Sequence, residues 1–94
     1  MLIVSGRLYL KAGAMKKFLA SSFEAIALAR KSPGCHDFVV AADPLEPDRV
    51  NVYEEWESED ALLKFRGDGP NSDMWSAIVS AEVFRHVISS TGPA

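Results

Sequence analysis

The chain has 94 residues, of which 48% are hydrophobic and 24% charged, with a formal net charge of −3. That length gives one domain, 1–94, burying roughly 60–65% of the surface its unfolded chain exposes, and the composition excludes disorder as a default state. The Lys and Arg residues are scattered, so the basic stripe of a nucleic-acid binder is lacking, and no apolar run is long enough to span a membrane.

The first residues, MLIVSGR, have no positive region ahead of an apolar stretch and no cleavage site, so they do not read as a signal peptide. Residues 2–10, LIVSGRLYL, read instead as a strand rich in Leu, Ile, Val and Tyr. From Ala14 the period changes: Met15, Phe18, Leu19, Ser22, Ile26 and Ala29 recur at three- and four-residue steps, which predicts an amphipathic helix. Ser32-Pro33-Gly34 stops it, because proline cannot continue a helix and glycine accepts positive φ. A second strand is expected at His36–Ala42 and a third at Arg49–Trp56, joined antiparallel by the turn-rich Asp43-Pro44-Leu45-Glu46-Pro47-Asp48.

Ser58 is placed to cap a short helix over 58–65, with Glu59 and Asp60 in the first turn, where acids suit the helix dipole. Arg66-Gly67-Asp68-Gly69-Pro70 breaks that helix. A third short helix is expected from Asn71 or Ser72 to Val79, and a last strand over Ala81–Ser89. The order β-α-β-β-α-(α)-β is the split pattern of a ferredoxin-like α+β sandwich. Both faces of its sheet read as apolar: Leu2, Val4, Leu8 and Leu10 oppose Ile3 and Tyr9, and Phe38 and Val40 oppose Val39. Helices cover one face only, so a second copy is expected on the other, making a homodimer.

Gly6-Arg7-Leu8, Ser32-Pro33-Gly34-Cys35, Asp43-Pro44 and the run Val52-Tyr53-Glu54-Glu55-Trp56-Glu57-Ser58-Glu59-Asp60-Ala61-Leu62 together resemble the antibiotic biosynthesis monooxygenase superfamily. Phe65-Arg66-Gly67-Asp68-Gly69-Pro70 is similar to one bacterial branch, described as candidate quinol monooxygenases. The resemblance implies a dimeric α+β barrel and a cofactor-independent oxidation of a small aromatic phenol or quinol to a quinone by O₂, with no metal and no flavin. It also implies a substrate cavity between sheet and helices. Haem-degrading members carry Asn where this chain has Gly6, Trp where it has Phe65, and a His beyond that is absent, so haem degradation is not implied. Many other members have His at the position of Phe65. Its loss favours the alternative of a non-catalytic dimeric module that binds a small aromatic ligand or a protein partner.

Alternation along a strand sends Glu54 and Glu55 to opposite faces, so they cannot act as a paired acid and base. Glu54 reads as a buried structural carboxylate, paired with Arg7 or Arg85. Asn51 and Tyr53, polar at i and i+2 in an apolar strand, are candidates for holding a substrate hydroxyl, or equally for a dimer contact. His86, a strand residue of a type that titrates near neutrality, is the candidate proton acceptor, weighed against the structural role more usual for a lone strand histidine. Trp56, Phe65, Arg66 and Trp75 are candidate pocket residues, each weighed against a core or capping role. The two histidines and one cysteine offer no metal-ligand spacing. Cys35 reads as a packing residue, and a lone cysteine fits a reduced, cytoplasmic setting.

Overall fold

The computed structural model describes residues 1–67 and 76–94. Four strands and two helices follow in the order β1 (Leu2–Leu10), α1 (Met15–Lys31), β2 (Cys35–Ala42), β3 (Arg49–Trp56), α2 (Glu59–Arg66) and β4 (Ile78–Val87). The sheet order is β2-β3-β1-β4, with every neighbouring pair antiparallel. This is the ferredoxin-like β-α-β-β-α-β arrangement, in which α1 carries the chain over β3 to a parallel strand.

The register assigns each side chain to a face. Val4 pairs with Glu54 and Arg85, and Leu8 with Val50 and Ala81. Directly paired residues share a face, so Leu2, Val4, Leu8, Val50, Val52, Glu54 and Trp56 all face the helices. Six buried residues, Leu2, Val4, Ala29, Phe38, Trp56 and Leu62, form the main core cluster. A second cluster of Leu10, Phe18 and Val50 lies towards the start of α1. Truncating the fully buried Leu62 to Ala should cost about 2–5 kcal/mol through lost burial and the cavity left behind.

Local chemistry fixes the ends of the elements. Arg30 and Lys31 occupy the last turn of α1, where cations suit the dipole, and Arg30 Nε donates to the Phe38 carbonyl of β2 at 2.9 Å. Gly34 has φ +83°, and a Cβ there would lie 2.6 Å from that of Ala61, so only glycine lets the turn press against α2. Ser58 caps α2 by accepting from Ala61 N at 3.2 Å. Between β2 and β3, the Asp43 carboxylate accepts from Leu45 N, Glu46 N and Asn51 Nδ2 at 2.8–3.0 Å. Those donors hold its pKa down at about 2.

Two sequence expectations need correction. The last strand begins at Ile78, not Ala81, and ends at Val87. Ile78 pairs with Leu10 across an irregularity in the register, and Lys11 N donates to the Ala77 carbonyl at 2.9 Å, so β1 draws these residues into the sheet. The rest of the expected third helix falls on 71–75, outside the described residues. The helix-free face of the sheet is also more polar than expected. Ile3, Val39, Tyr53 and Phe84 lie there, but so do an Arg7–Glu82 ion pair at 2.6 Å and the Tyr53 hydroxyl donating to Glu55.

Candidate functional site

α1 packs most closely on β2, and α2 is only eight residues long. The helix side of the sheet therefore opens into a cleft of about 1210 Å³. Its floor is Leu8, Val52, Ala81 and Val83. Phe18, Ala25 and Leu28 of α1 form one wall, with Lys17, Ser21 and Glu24 along the helix edge. Phe38, Glu54, Phe65 and Arg66 close one end; Lys11, Ala77 and Ile78 lie at the other.

Gly6 sits between Val52 and Val83 in the middle of this floor. Its φ is +152°, and a Cβ would run into the Glu82 carbonyl oxygen and lie 2.7 Å from Val83 Cα. β1 and β4 can pair this closely only because residue 6 has no side chain. Any larger residue there would require the strands to move apart.

Glu54 is the buried acid of the cleft, only 7% exposed. Trp56 Nε1 donates to its Oε1 at 2.9 Å. Trp56, Phe38 and Phe65 stack around this end with ring centroids 5.4–6.5 Å apart, contributing about 0.5–1.5 kcal/mol per pair beyond their burial. Removal from water raises the Glu54 pKa, while the Trp56 hydrogen bond and the charge of Arg66 act in the opposite direction. A carboxylate with elevated proton affinity thus faces an apolar cleft. It is suited to accepting a proton from a bound hydroxyl.

The expected ion pairs of Glu54 do not form. Arg7 bonds Glu82 on the opposite face, and Arg85 reaches Glu59 at 2.8 Å. The other sequence candidates divide between the two sides of the sheet. Phe65 and Arg66 line the cleft. Trp56 is fully buried behind it, acting on the cleft through Glu54. Trp75 lies outside the described residues. Asn51, Tyr53 and His86 lie on the helix-free face, since they pair with Arg7, Ser5 and Ile3, so the structure does not bring them to the cleft. Asn51 accepts from Arg49 and donates to Asp43, and Tyr53 is tied to Glu55, which pushes its pKa up to about 12. His86 is exposed. Sequence reasoning did not single out Lys11, Lys17 or Glu24 for the cleft. The signal available was the Lys17-Ser21-Glu24-Leu28 spacing, one helical row beside the apolar stripe of α1.

A family model for antibiotic biosynthesis monooxygenases matches residues 1–79. The chain belongs to this family. Among solved structures, a candidate antibiotic biosynthesis monooxygenase from Deinococcus radiodurans superposes with TM-score 0.85 at 15% identity, covering 100% of this chain and 98% of that one. Another from Nitrosomonas europaea gives 0.81 at 11% identity, over 96% and 100% of the two chains. A third, from Chloroflexus aurantiacus, gives 0.77 at 23% identity, over 98% and 96%. At these identities the likeness shows the fold alone. No curated protein matches the chain. In this antibiotic biosynthesis monooxygenase family member, Gly6 and the β1–β4 pairing form the floor, and Glu54 supplies the buried acid.

Proposed function

We propose that the chain is a monooxygenase that oxidises a small aromatic phenol or quinol to a quinone in the helix-side cleft. The observation that carries this reading is Glu54: buried, held by Trp56, raised in pKa by burial, and facing apolar walls. A phenol lying on the floor would give its hydroxyl proton to Glu54, leaving an electron-rich phenolate. The phenolate reduces O₂. One oxygen atom adds at an open ring carbon, para to the hydroxyl of a phenol or ortho to one in a quinol, whose para carbon already carries oxygen; two hydrogens leave the substrate, and the second oxygen departs as water. The residues of the cleft exclude water and orient the ring.

Oxygen uptake against anthrones, quinols and catechols tests the reading, with quinone formation followed by absorbance. Uptake in the wild type that falls by about 10²-fold in Glu54→Gln supports it. Binding of the same compounds without uptake would establish the non-catalytic module instead.

The helix-free face supports a homodimer as part of this proposal. Phe84 is 64% exposed there, beside the half-buried Ile3, Val39 and Tyr53. Phe84 pairs with Ser5, in one row with Tyr53 and Val39, and an exposed aromatic on this face suits a self-complementary contact, with the Arg7–Glu82 pair next to it.

A further inference from the structure

A carboxylate drawn out of water gains affinity for a proton, and one already protonated cannot accept another from a substrate. A nearby positive charge keeps such an acid ionised. Around Glu54, strands β3 and β1 supply none, since Trp56 and the paired Val4 are uncharged. On β2 the paired residue is Phe38, the Cys35 thiol packs against the same core cluster, and Asp37 lies on the opposite face beside Glu55. Arg85 of β4 stands in one row with Val4 and Glu54, but Glu59 of α2 holds it at 2.8 Å. Arg30 of α1 donates to the Phe38 carbonyl on edge strand β2, and Glu24 on the edge of α1 is itself an acid.

Arg66 is the cation that remains. It lines the cleft with Glu54, Phe38 and Phe65 and forms no ion pair among the described residues. Its place follows from α2. Leu62 is fully buried, and Phe65 packs on Trp56 and Phe38 with ring centroids 5.4 and 5.7 Å away. These contacts fix the last turn of the helix against the ring whose N–H holds Glu54. Lys64, in the same turn, lines a separate groove with Ser32 and Pro33. Arg66 is exposed, so it keeps its own hydration while its charge acts on the acid against the effect of burial. We infer that Arg66 holds Glu54 in its charged form while the cleft is empty, so that a carboxylate and not a carboxylic acid meets the incoming hydroxyl. Arg66 acts through Glu54, which makes it a positioning residue for charge. This rests on the reading of the cleft as the substrate site.

The test titrates Glu54 by carbon-13 NMR of the glutamate carboxyl groups in labelled protein, with no ligand present; its signal is the one that Glu54→Gln removes. In Arg66→Gln the midpoint should move up, the proton equilibrium changing about two- to fivefold, the effect of one exposed charge. Arg66→Lys should restore most of the difference, and added salt should move the wild-type midpoint towards that of Arg66→Gln. Lys64→Gln should leave it in place. Where a phenol or quinol is oxidised, the acid limb of the rate against pH should move up in Arg66→Gln by the same factor. Circular dichroism checks that each variant is folded. An unmoved Glu54 midpoint in Arg66→Gln, or an equal shift in Lys64→Gln, would overturn the inference, since a cation that only suits the helix dipole changes stability and not this titration. A shifted midpoint in a protein that consumes no oxygen would support the hold of Arg66 on Glu54 and remove the monooxygenase reading alone.

Discussion

At the scale of single residues, Glu54 makes the protein's stability depend on pH. Its folded pKa lies above the ordinary carboxylate value of 4.5. Between those two values the folded chain holds a proton that the unfolded chain has released. The contribution is therefore present in full below pH 4.5 and is lost as pH rises through the folded value. Glu54→Gln keeps an oxygen acceptor for Trp56 and removes the ionisation. It should flatten this decline and be no less stable than wild type at neutral pH, as urea melts from pH 4 to 8 would show. Asp43 works in the other direction. Its stabilising effect is present above 3.8 and is lost as pH falls through about 2, so Asp43→Ala should have a flatter acid limb. Alternation along β3 was enough to separate Glu54 from Glu55 in the sequence. Each carboxylate bonds a neighbour two residues away on its own strand, Trp56 for Glu54 and Tyr53 for Glu55, but which of the two faces the helices cover was not readable there, because it depends on elements far away in the chain.

At the scale of elements, the pairing of β1 with β4 depends on Gly6. Gly6→Ala places a methyl group against the backbone of β4 in a conformation that L residues rarely adopt. We expect a loss of about 3 kcal/mol, larger than a typical surface change, with β4 separating first. Hydrogen exchange should then show faster exchange of the amides that bond β1 to β4 than of those that bond β1 to β3. Strands β1 to β3 and helix α1 were readable from period and turn chemistry because their signals are local. The start of β4 was not. Ile78 and Val79 continue a helical spacing, and only the pairing with Leu10 and the bond from Lys11 to Ala77 place them in the sheet.

At the scale of the whole molecule, the two faces of one sheet are given different tasks in this reading. The helix side holds the cleft, and the bare side meets a second copy. A charge at Phe84, on the bare face of edge strand β4, should separate the copies without disturbing the cleft. Sedimentation equilibrium at micromolar concentration should therefore give about twice 10.3 kDa for wild type and a mass shifted towards 10.3 kDa for Phe84→Glu. A single-chain mass for wild type would remove the dimer from the proposal. The topology was available from the order of elements, but the polar content of the bare face was underestimated. The Arg7–Glu82 and Tyr53–Glu55 contacts join residues whose facing depends on register.

The bond from Trp56 to Glu54 also gives the protein an optical signal of its own. An indole whose N–H is held by a carboxylate emits differently when that carboxylate gains a proton, because the acceptor loses its charge. The chain contains only two tryptophans, so Trp75→Phe would leave Trp56 as the single indole emitter. Its fluorescence should then titrate with the proton on Glu54 and respond again when a phenol occupies the cleft. The emission–pH curve should disappear in Glu54→Gln, and the midpoint in the parent should lie above that of an ordinary glutamate. A ligand that takes the proton's place would shift that midpoint, so occupancy and ionisation could be followed together in an unlabelled sample.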